Sequence, residues 1–205
     1  VYQVTVRLQQ KLNDEKILNQ FATSLYGKNL LEDIFWDIAK NCVELLGFQD
    51  CVVYQVDQQR SVLVQKAAAG PKSPYNNREI INHLELPIGK GIVGSVAKTG
   101  VAERVGNTTK DSRYIIDDEL RYSEITVPVF VDGVLFGIID SEHPQKKFFT
   151  KRHLRLLRRI ANVCAERISK YLTEERLRTK IARDLHDEMG STLTSINILS
   201  KVAMS

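Results

Sequence analysis

Apolar residues recur at Val4, Leu8, Leu12, Leu18, Phe21 and Leu25 with few breakers between them, and this spacing predicts a helix over residues 1–26. Tyr26-Gly27-Lys28-Asn29 stops that helix and restarts the chain. Leu30, Leu31, Ile34, Phe35, Ile38, Ala39, Cys42, Val43 and Leu46 then return at helical spacing, and Gly47 closes the second helix. At Asp50 the pattern changes. Cys51 to Val56 and Ser61 to Ala69 are β-rich runs on either side of a turn at Asp57-Gln58-Gln59-Arg60. Gly70 to Asn77 contains Pro71 and Pro74 and reads as loop. Leu86 to Gly94 leads into a short helix that ends near Gly100, followed by a short strand over Val101 to Val105 and a polar stretch from Gly106 to Tyr122. Glu124 to Val131 and Val134 to Ser141 are two strands joined at Asp132-Gly133, a strong hairpin signal.

From Phe149 no proline or internal breaker occurs before Gly190. Steps of three and four from Leu154 give Leu154, Leu157, Ala161, Cys164, Ile168, Tyr171, Glu175, Arg178, Ala182, Leu185, Met189, Thr192, Ile196 and Leu199. Eleven of these fourteen positions are apolar, in one heptad phase. The pattern predicts a long helix of coiled-coil type and a parallel homodimer. Residues 150–170 are expected to pack on their own domain. Beyond 171 no remaining chain could cover another ~50 Å of helix at 1.5 Å per residue. Glu175 and Arg178 form a polar layer in the seam, which a switch with two helix registers could use as readily as a plain coiled coil could tolerate it.

The composition is that of a globular chain: 43% hydrophobic, 26% charged, formal net charge +4 over 205 residues. That excess is too small to imply nucleic acid, but it is uneven. Residues 151–205 hold 12 basic and 6 acidic residues, whereas residues 1–150 hold 17 and 19. The basic residues are interspersed along a heptad helix, which is a solvated surface and not a recognition motif. Cys42, Cys51 and Cys164 lie far apart in sequence, without metal-site or redox-pair spacing, and suit a reducing compartment. No apolar run approaches the ~20 residues that span a bilayer, so the region is expected to be cytoplasmic. The chain lacks an initiator Met and ends within a periodic segment, so it is expected to be part of a longer protein, with an upstream membrane anchor left open.

Residues 11–170 resemble a GAF domain. The likeness rests on LELPIGKGIVGSVAKTG at 84–100, NTTKDSRY at 107–114, SEITVPVFVDGVLFGIID at 123–140 and FFTKRHLRLLRRIANVCAERI at 148–168. It implies an α+β fold: an antiparallel sheet with helices on one face and a ligand-sized cavity under loops on the other. Residues 176–199, RLRTKIARDLHDEMGSTLTSINIL, resemble the phosphoacceptor helix of sensor histidine kinases of the type paired with DNA-binding response regulators. The organisation expected is a linker helix over 1–10, a sensor domain over 11–170 and an incomplete dimerisation and phosphoacceptor segment over 171–205.

The kinase resemblance implies that His186 is the phosphoacceptor in a full-length histidine kinase, with a response-regulator receiver domain as partner. His186 follows the seam position Leu185 and so stands on the shoulder of a dimer, open to an ATP-bearing domain. By the same resemblance Asp187 hydrogen-bonds the second ring nitrogen, fixing the tautomer and raising nucleophilicity. Arg183, one turn earlier, would attract phosphate oxygens, and Glu188 is a weaker second carboxylate. Many relatives carry Gln or His where this chain has Ser191, which puts phosphatase activity in question. No phosphate loop opens a helix after a strand, since Gly89-Lys90-Gly91-Ile92-Val93-Gly94 reads as a turn before a short helix. ATP and Mg are therefore expected only in the full-length protein, bound beyond Ser205.

For the sensor, no cysteine lies between residues 52 and 163, which argues against a bilin and against the cysteine set of methionine-sulfoxide-reducing relatives. His83 and His143, the residues available for haem, each stand alone beside a turn. Tyr54, Glu103, Asp111, Tyr114, Tyr122 and Glu124 are the pocket candidates by position. Each also has a structural reading: loop anchors for Tyr114 and Tyr122, a turn or cap for Asp111, an ion-pair partner for Glu124. The other reading of the whole is a GAF-type cofactor-binding photoreceptor, or a small-molecule-binding dimerisation module, without kinase function.

Overall fold

The structure is a computed structural model that describes residues 2–74, 78–117 and 119–203, with side chains outside the description at 2, 3, 191 and 193–203. The expectations on Ser191, Ile196 and Leu199 therefore lie outside the described side chains. The chain divides into two compact units, residues 1–168 and 169–205.

The first unit opens with α1 (Tyr2–Leu25) and α2 (Leu31–Leu46). Glu32 and Asp33 in the first turn of α2 favour its positive end. Gly47, at φ 68°, ends it: its N–H donates to the Val43 carbonyl and the Phe48 N–H to the Cys42 carbonyl. A six-stranded antiparallel sheet follows: β1 (Cys51–Asp57), β2 (Val62–Ala69), β3 (Glu85–Pro87), β4 (Glu103–Val105), β5 (Ser123–Val131) and β6 (Val134–His143). Its spatial order is β3-β2-β1-β6-β5-β4. A short helix, α3 (Gly91–Thr99), and a 3-10 turn at Thr108–Lys110 stand between strands, and α4 runs from Lys151 to Ala203. The sequence pattern predicts all of these elements except β3 and the 3-10 turn. Each has three residues, too few to show a period; β3 exists because it pairs with Val62 to Val64.

Side chains alternate across the strands and separate two cores. On one face Cys51 lies in the interior with Cys42 of α2 and Cys164 of α4, and Phe48 meets Phe149 edge-on at 5.1 Å. The three cysteines, remote in sequence, are thus neighbours in space and free. The contact from Cys51 and then burial push the Cys42 thiol well up, and burial pushes Cys164 up, so both stay unreactive thiols. The first half of α4 buries Leu157, Ala161, Cys164 and Ile168, as expected for 150–170. Arg167 ties it to the Leu25 and Lys28 carbonyls. On the other face Val52, Tyr54, Leu63, Leu86 and Ile138 form a second cluster with Val93 and Val96 of α3.

The second unit is helical. Here Leu177, Ile181, Leu185 and Met189 are 50–64% exposed, an apolar stripe that no described residue of this unit covers. Glu175 and Arg178, the expected polar layer, form an ion pair at 2.8 Å along the helix.

Candidate ligand cavity and phosphoacceptor helix

The β5–β6 hairpin builds the floor of a cavity. Its register sets Glu124 opposite Glu142 and Thr126 opposite Asp140. Side chains two apart on a strand share a face, so these four residues form a square. Asp140 also pairs with Val52 of β1, which brings in Tyr54. The wall is apolar: Leu84, Leu86, Ile92, Val93 and Ile115. Gly91 faces Ile115 at the mouth; at φ 71°, with a Cβ at 3.0 Å from the Ile115 methyl, it leaves little room for any side chain. The cavity holds about 30 Å³, enough for one or two water molecules.

Loops close it. Lys72 follows the tight turn at Gly70, whose φ of 88° and approach to the Gln49 carbonyl leave no space for a Cβ. The Lys72 ammonium is 3% exposed and pairs with the Asp117 carboxylate. Gln65 of β2 donates to Asp117 Oδ2 at 3.0 Å and to the Tyr54 hydroxyl at 3.1 Å, and its Oε1 accepts the Leu84 N–H at 2.9 Å. Gln65 thus ties both covering loops to the sheet.

The electrostatics are those of acids crowded out of water. Burial, opposed by hydrogen bonds from Thr126 and Glu124 and helped by Asp117, lifts Asp140 from its ordinary 3.8 to about 7. Burial and then the charges of Asp140 and Glu142 raise Glu124 well above the carboxylate range. Thr126 Oγ1 bridges the two carboxyls at 2.5 Å and 3.3 Å, and Glu124 and Asp140 behave as one pair that holds a proton. Burial, then Asp140, pushes the Tyr54 phenol up as well.

Of the pocket candidates the structure brings Tyr54 and Glu124 into the cavity. It places Glu103 and Tyr122 elsewhere. Glu103 pairs with Arg113 at 2.7 Å, because β4 is an edge strand and its side chain meets the next loop. The Tyr122 ring lies under the Lys146 ammonium at 5.3 Å. Asp111 caps a turn by accepting the Arg113 N–H, and the Tyr114 hydroxyl accepts the Arg121 N–H, so both anchor loops. His83 Nε2 meets the Gln65 carbonyl at 2.7 Å and His143 stacks on Phe148 at 3.5 Å, so both rings have structural partners. Asp50, Lys72, Asp117, Asp140 and Glu142 were not singled out. For Asp140 and Glu142 a signal existed: they continue the inward phase of Ile138 with acids where apolar residues are expected. Among the described residues no cluster of His, Cys, Asp and Glu could hold a metal ion.

Residues 30–168 match the GAF domain family. The chain belongs to that family. Residues 178–205, beyond the GAF domain, match a histidine kinase family. Solved structures similar to the GAF domain include the free methionine-R-sulfoxide reductase of Neisseria meningitidis in complex with its substrate, at TM-score 0.70 and 22% identity over 79% of this chain and 91% of that one. The GAF domain of a phosphoenolpyruvate-protein phosphotransferase from Coxiella burnetii is similar at TM-score 0.70 and 19% identity, covering 80% and 98%. At these identities the likeness is one of fold. Among curated proteins, Protein YtsP of Bacillus subtilis is 32% identical over 66 residues, 32% of this chain, and the matched region spans 40% of its length.

On the helix of the second unit, Arg183, His186, Asp187 and Glu188 are all exposed. Side chains one residue apart leave a helix about 100° from each other, and no hydrogen bond joins His186 to Asp187 here. No helix among the described residues is long and apolar enough to cross a membrane.

Proposed function

We propose that this chain is the sensing and phosphoacceptor part of a two-component histidine kinase, in which the state of the GAF cavity governs phosphorylation of His186. The carrying observation is an exposed histidine on a helix that matches a histidine kinase family, in a chain that also carries a GAF domain. A ring nitrogen of His186 attacks the γ-phosphorus of ATP presented by a separate domain. The N–P bond forms, the bond to the ADP oxygen breaks, and the phosphoryl group later passes to an aspartate of a response-regulator receiver. Asp187 orients the ring and receives its proton once the two side chains turn toward each other, and Arg183 draws in phosphate oxygens. Leu185 and Met189, both seam positions and both exposed, support the parallel homodimer expected from the heptads, with the partner helix as their cover.

The test supplies labelled ATP and an ATP-binding domain of the same kinase family to the full chain. His186→Gln should abolish acid-labile labelling and leave the dimer intact. Asp187→Asn should slow labelling by roughly 10²–10⁴, the range of general-base assistance. Undiminished labelling of His186→Gln refutes the assignment. Undiminished labelling of Asp187→Asn refutes the role given to that carboxylate.

A further inference from the structure

A second, larger groove lies on the side of the sheet that carries α2. It offers about 520 Å³, within the roughly 300–1,000 Å³ of small-molecule sites. One wall is the start of α2 and the other is the segment that leads into β3. The Arg78 guanidinium of that segment pairs with Asp33 of α2 and straps the walls together. Two features set the groove apart from ordinary surface. Trp36 lines it and is 9% exposed, and among the described residues its Nε1–H has no hydrogen-bond acceptor. A buried donor left unpaired bears the cost of its lost water, so few folded proteins keep one. The other feature is a bulge in β2. Val53 pairs with Ala67 and Tyr54 with Gln65, which leaves Lys66 without a partner on β1. A bulge breaks the ladder and re-aims a side chain. Lys66 lines the groove, exposed and without an ion pair among the described residues.

We propose that this groove binds a small monocarboxylate with an apolar body, its carboxylate accepting hydrogen bonds from Trp36 Nε1 and Lys66 Nζ. The indole N–H and the ammonium can donate and cannot accept, so a molecule that satisfies them must bring the acceptor. Lys66 favours a charged one, and a hydrogen bond to a charged acceptor is roughly twice as strong as a neutral one. A neutral carbonyl would serve Trp36 and leave Lys66 with little to gain. Glu32 and Glu79 also line the groove and repel a second negative charge, which sets a monocarboxylate above a phosphate. Leu31, Phe35 and Ile80 supply apolar surface for the body of the ligand, and a phenyl ring fits the space. The acidic cavity on the other side of the sheet would turn the same anion away, so the two sites differ in what they admit. The inference stands apart from the kinase reading.

Trp36 is the only tryptophan of the chain, so one indole N–H resonance reports on the groove. The test titrates the full chain at pH 7 with phenylacetate, and with 2-phenylethanol and phenethylamine as the matching neutral molecule and cation. Phenylacetate should move the indole resonance downfield and saturate, as Nε1 gains an acceptor. The alcohol should bind several-fold more weakly or not at all, and the amine should leave the resonance in place. In titration calorimetry Lys66→Met should bind phenylacetate roughly two- to fivefold more weakly, and added salt should weaken the wild type by a similar factor. Trp36→Phe keeps a ring and removes the donor, and should bind roughly tenfold more weakly. Lys66 is on the surface, so its variant carries the test even where Trp36→Phe fails to unfold cooperatively. The proposal is overturned if phenylacetate at about 10 mM, tenfold above a 1 mM dissociation constant, leaves the indole resonance unmoved. It is equally overturned if the alcohol or inorganic phosphate binds as well as phenylacetate, or if Lys66→Met binds it like the wild type at low salt. None of these readouts involves His186, so failure here is distinct from failure of the kinase reading.

Discussion

Asp140→Asn should stabilise the protein at pH 8 and do little or nothing for it at pH 4. The Asp140 carboxyl ordinarily ionises at 3.8 and is lifted to about 7 in the fold. The folded state therefore holds a proton that the unfolded chain has already released, and stability must fall as pH rises from about 4 to about 7. At 1.36 kcal/mol for each tenfold, the gap corresponds to about 4 kcal/mol, spread over the Glu124–Asp140 pair. The amide carries no charge to desolvate, and its oxygen can still accept the Thr126 hydroxyl that now reaches Asp140 Oδ1 at 2.5 Å. Recovering half of the cost would raise the melting temperature by roughly 4–8 °C, at 2–4 °C per kcal/mol for a chain of this size. Acids pulled down in the fold act in another window. Hydrogen bonds from the Arg60 backbone and guanidinium hold Asp57 low, and the Arg113 guanidinium does the same for Asp111, so their contributions are lost only in acid, below about pH 4. Urea unfolding of both proteins at pH 4, 6 and 8 checks the reasoning. A wild type with flat stability over that range, or an Asp140→Asn variant that is less stable at pH 8, would refute it.

Phe21→Ala should cost roughly 3–5 kcal/mol in urea unfolding, because Phe21 is fully buried although it precedes the stretch that matches the family. A loss below 1 kcal/mol would show that α1 is an appendage. Leu185→Glu should convert a dimer to monomers in sedimentation by weakening association roughly 100-fold or more, since it sets a charge in the apolar seam while sparing the cavity. A monomeric wild type would remove the seam altogether.

The helices and hairpins were legible because each repeats its period over many residues. Phe35, Ile38, Ala39 and Cys42 mark one face of α2 four times over, and Asp132-Gly133 leaves few alternatives to a hairpin. Three-residue β3 carries no period and exists only through its partner strand. The cavity was legible only in part, for the same reason. Tyr54 and Glu124 sit on regular strands where phase fixes the facing side. Lys72 and Asp117 lie on loops 45 residues apart in sequence, and their meeting depends on how Gln65 and Gly70 seat those loops. Glu103 and Tyr122 were misplaced because an edge strand and a loop end let side chains turn outward to Arg113 and Lys146. Glu124 was expected either as a pocket residue or as an ion-pair partner, and it lines the cavity beside Asp140, a placement that turns on the register of the β5–β6 hairpin.

Like charges directly opposite on neighbouring strands destabilise a sheet, and burial multiplies the effect. Glu124 faces Glu142 in this way, with Asp140 one step along. Apolar residues at these three positions would extend the cluster around Ile138 and stabilise the domain, as Val52 and Val93 already do. A fold that keeps the acids gives up stability in the unliganded state. Their desolvation is offset in part by the Thr126 hydroxyl, which reaches both Glu124 and Asp140, and by the proton that this pair holds. Charge and stability are therefore opposed at Asp140, and a substitution that removes the charge while keeping the Thr126 hydrogen bond should stabilise the domain.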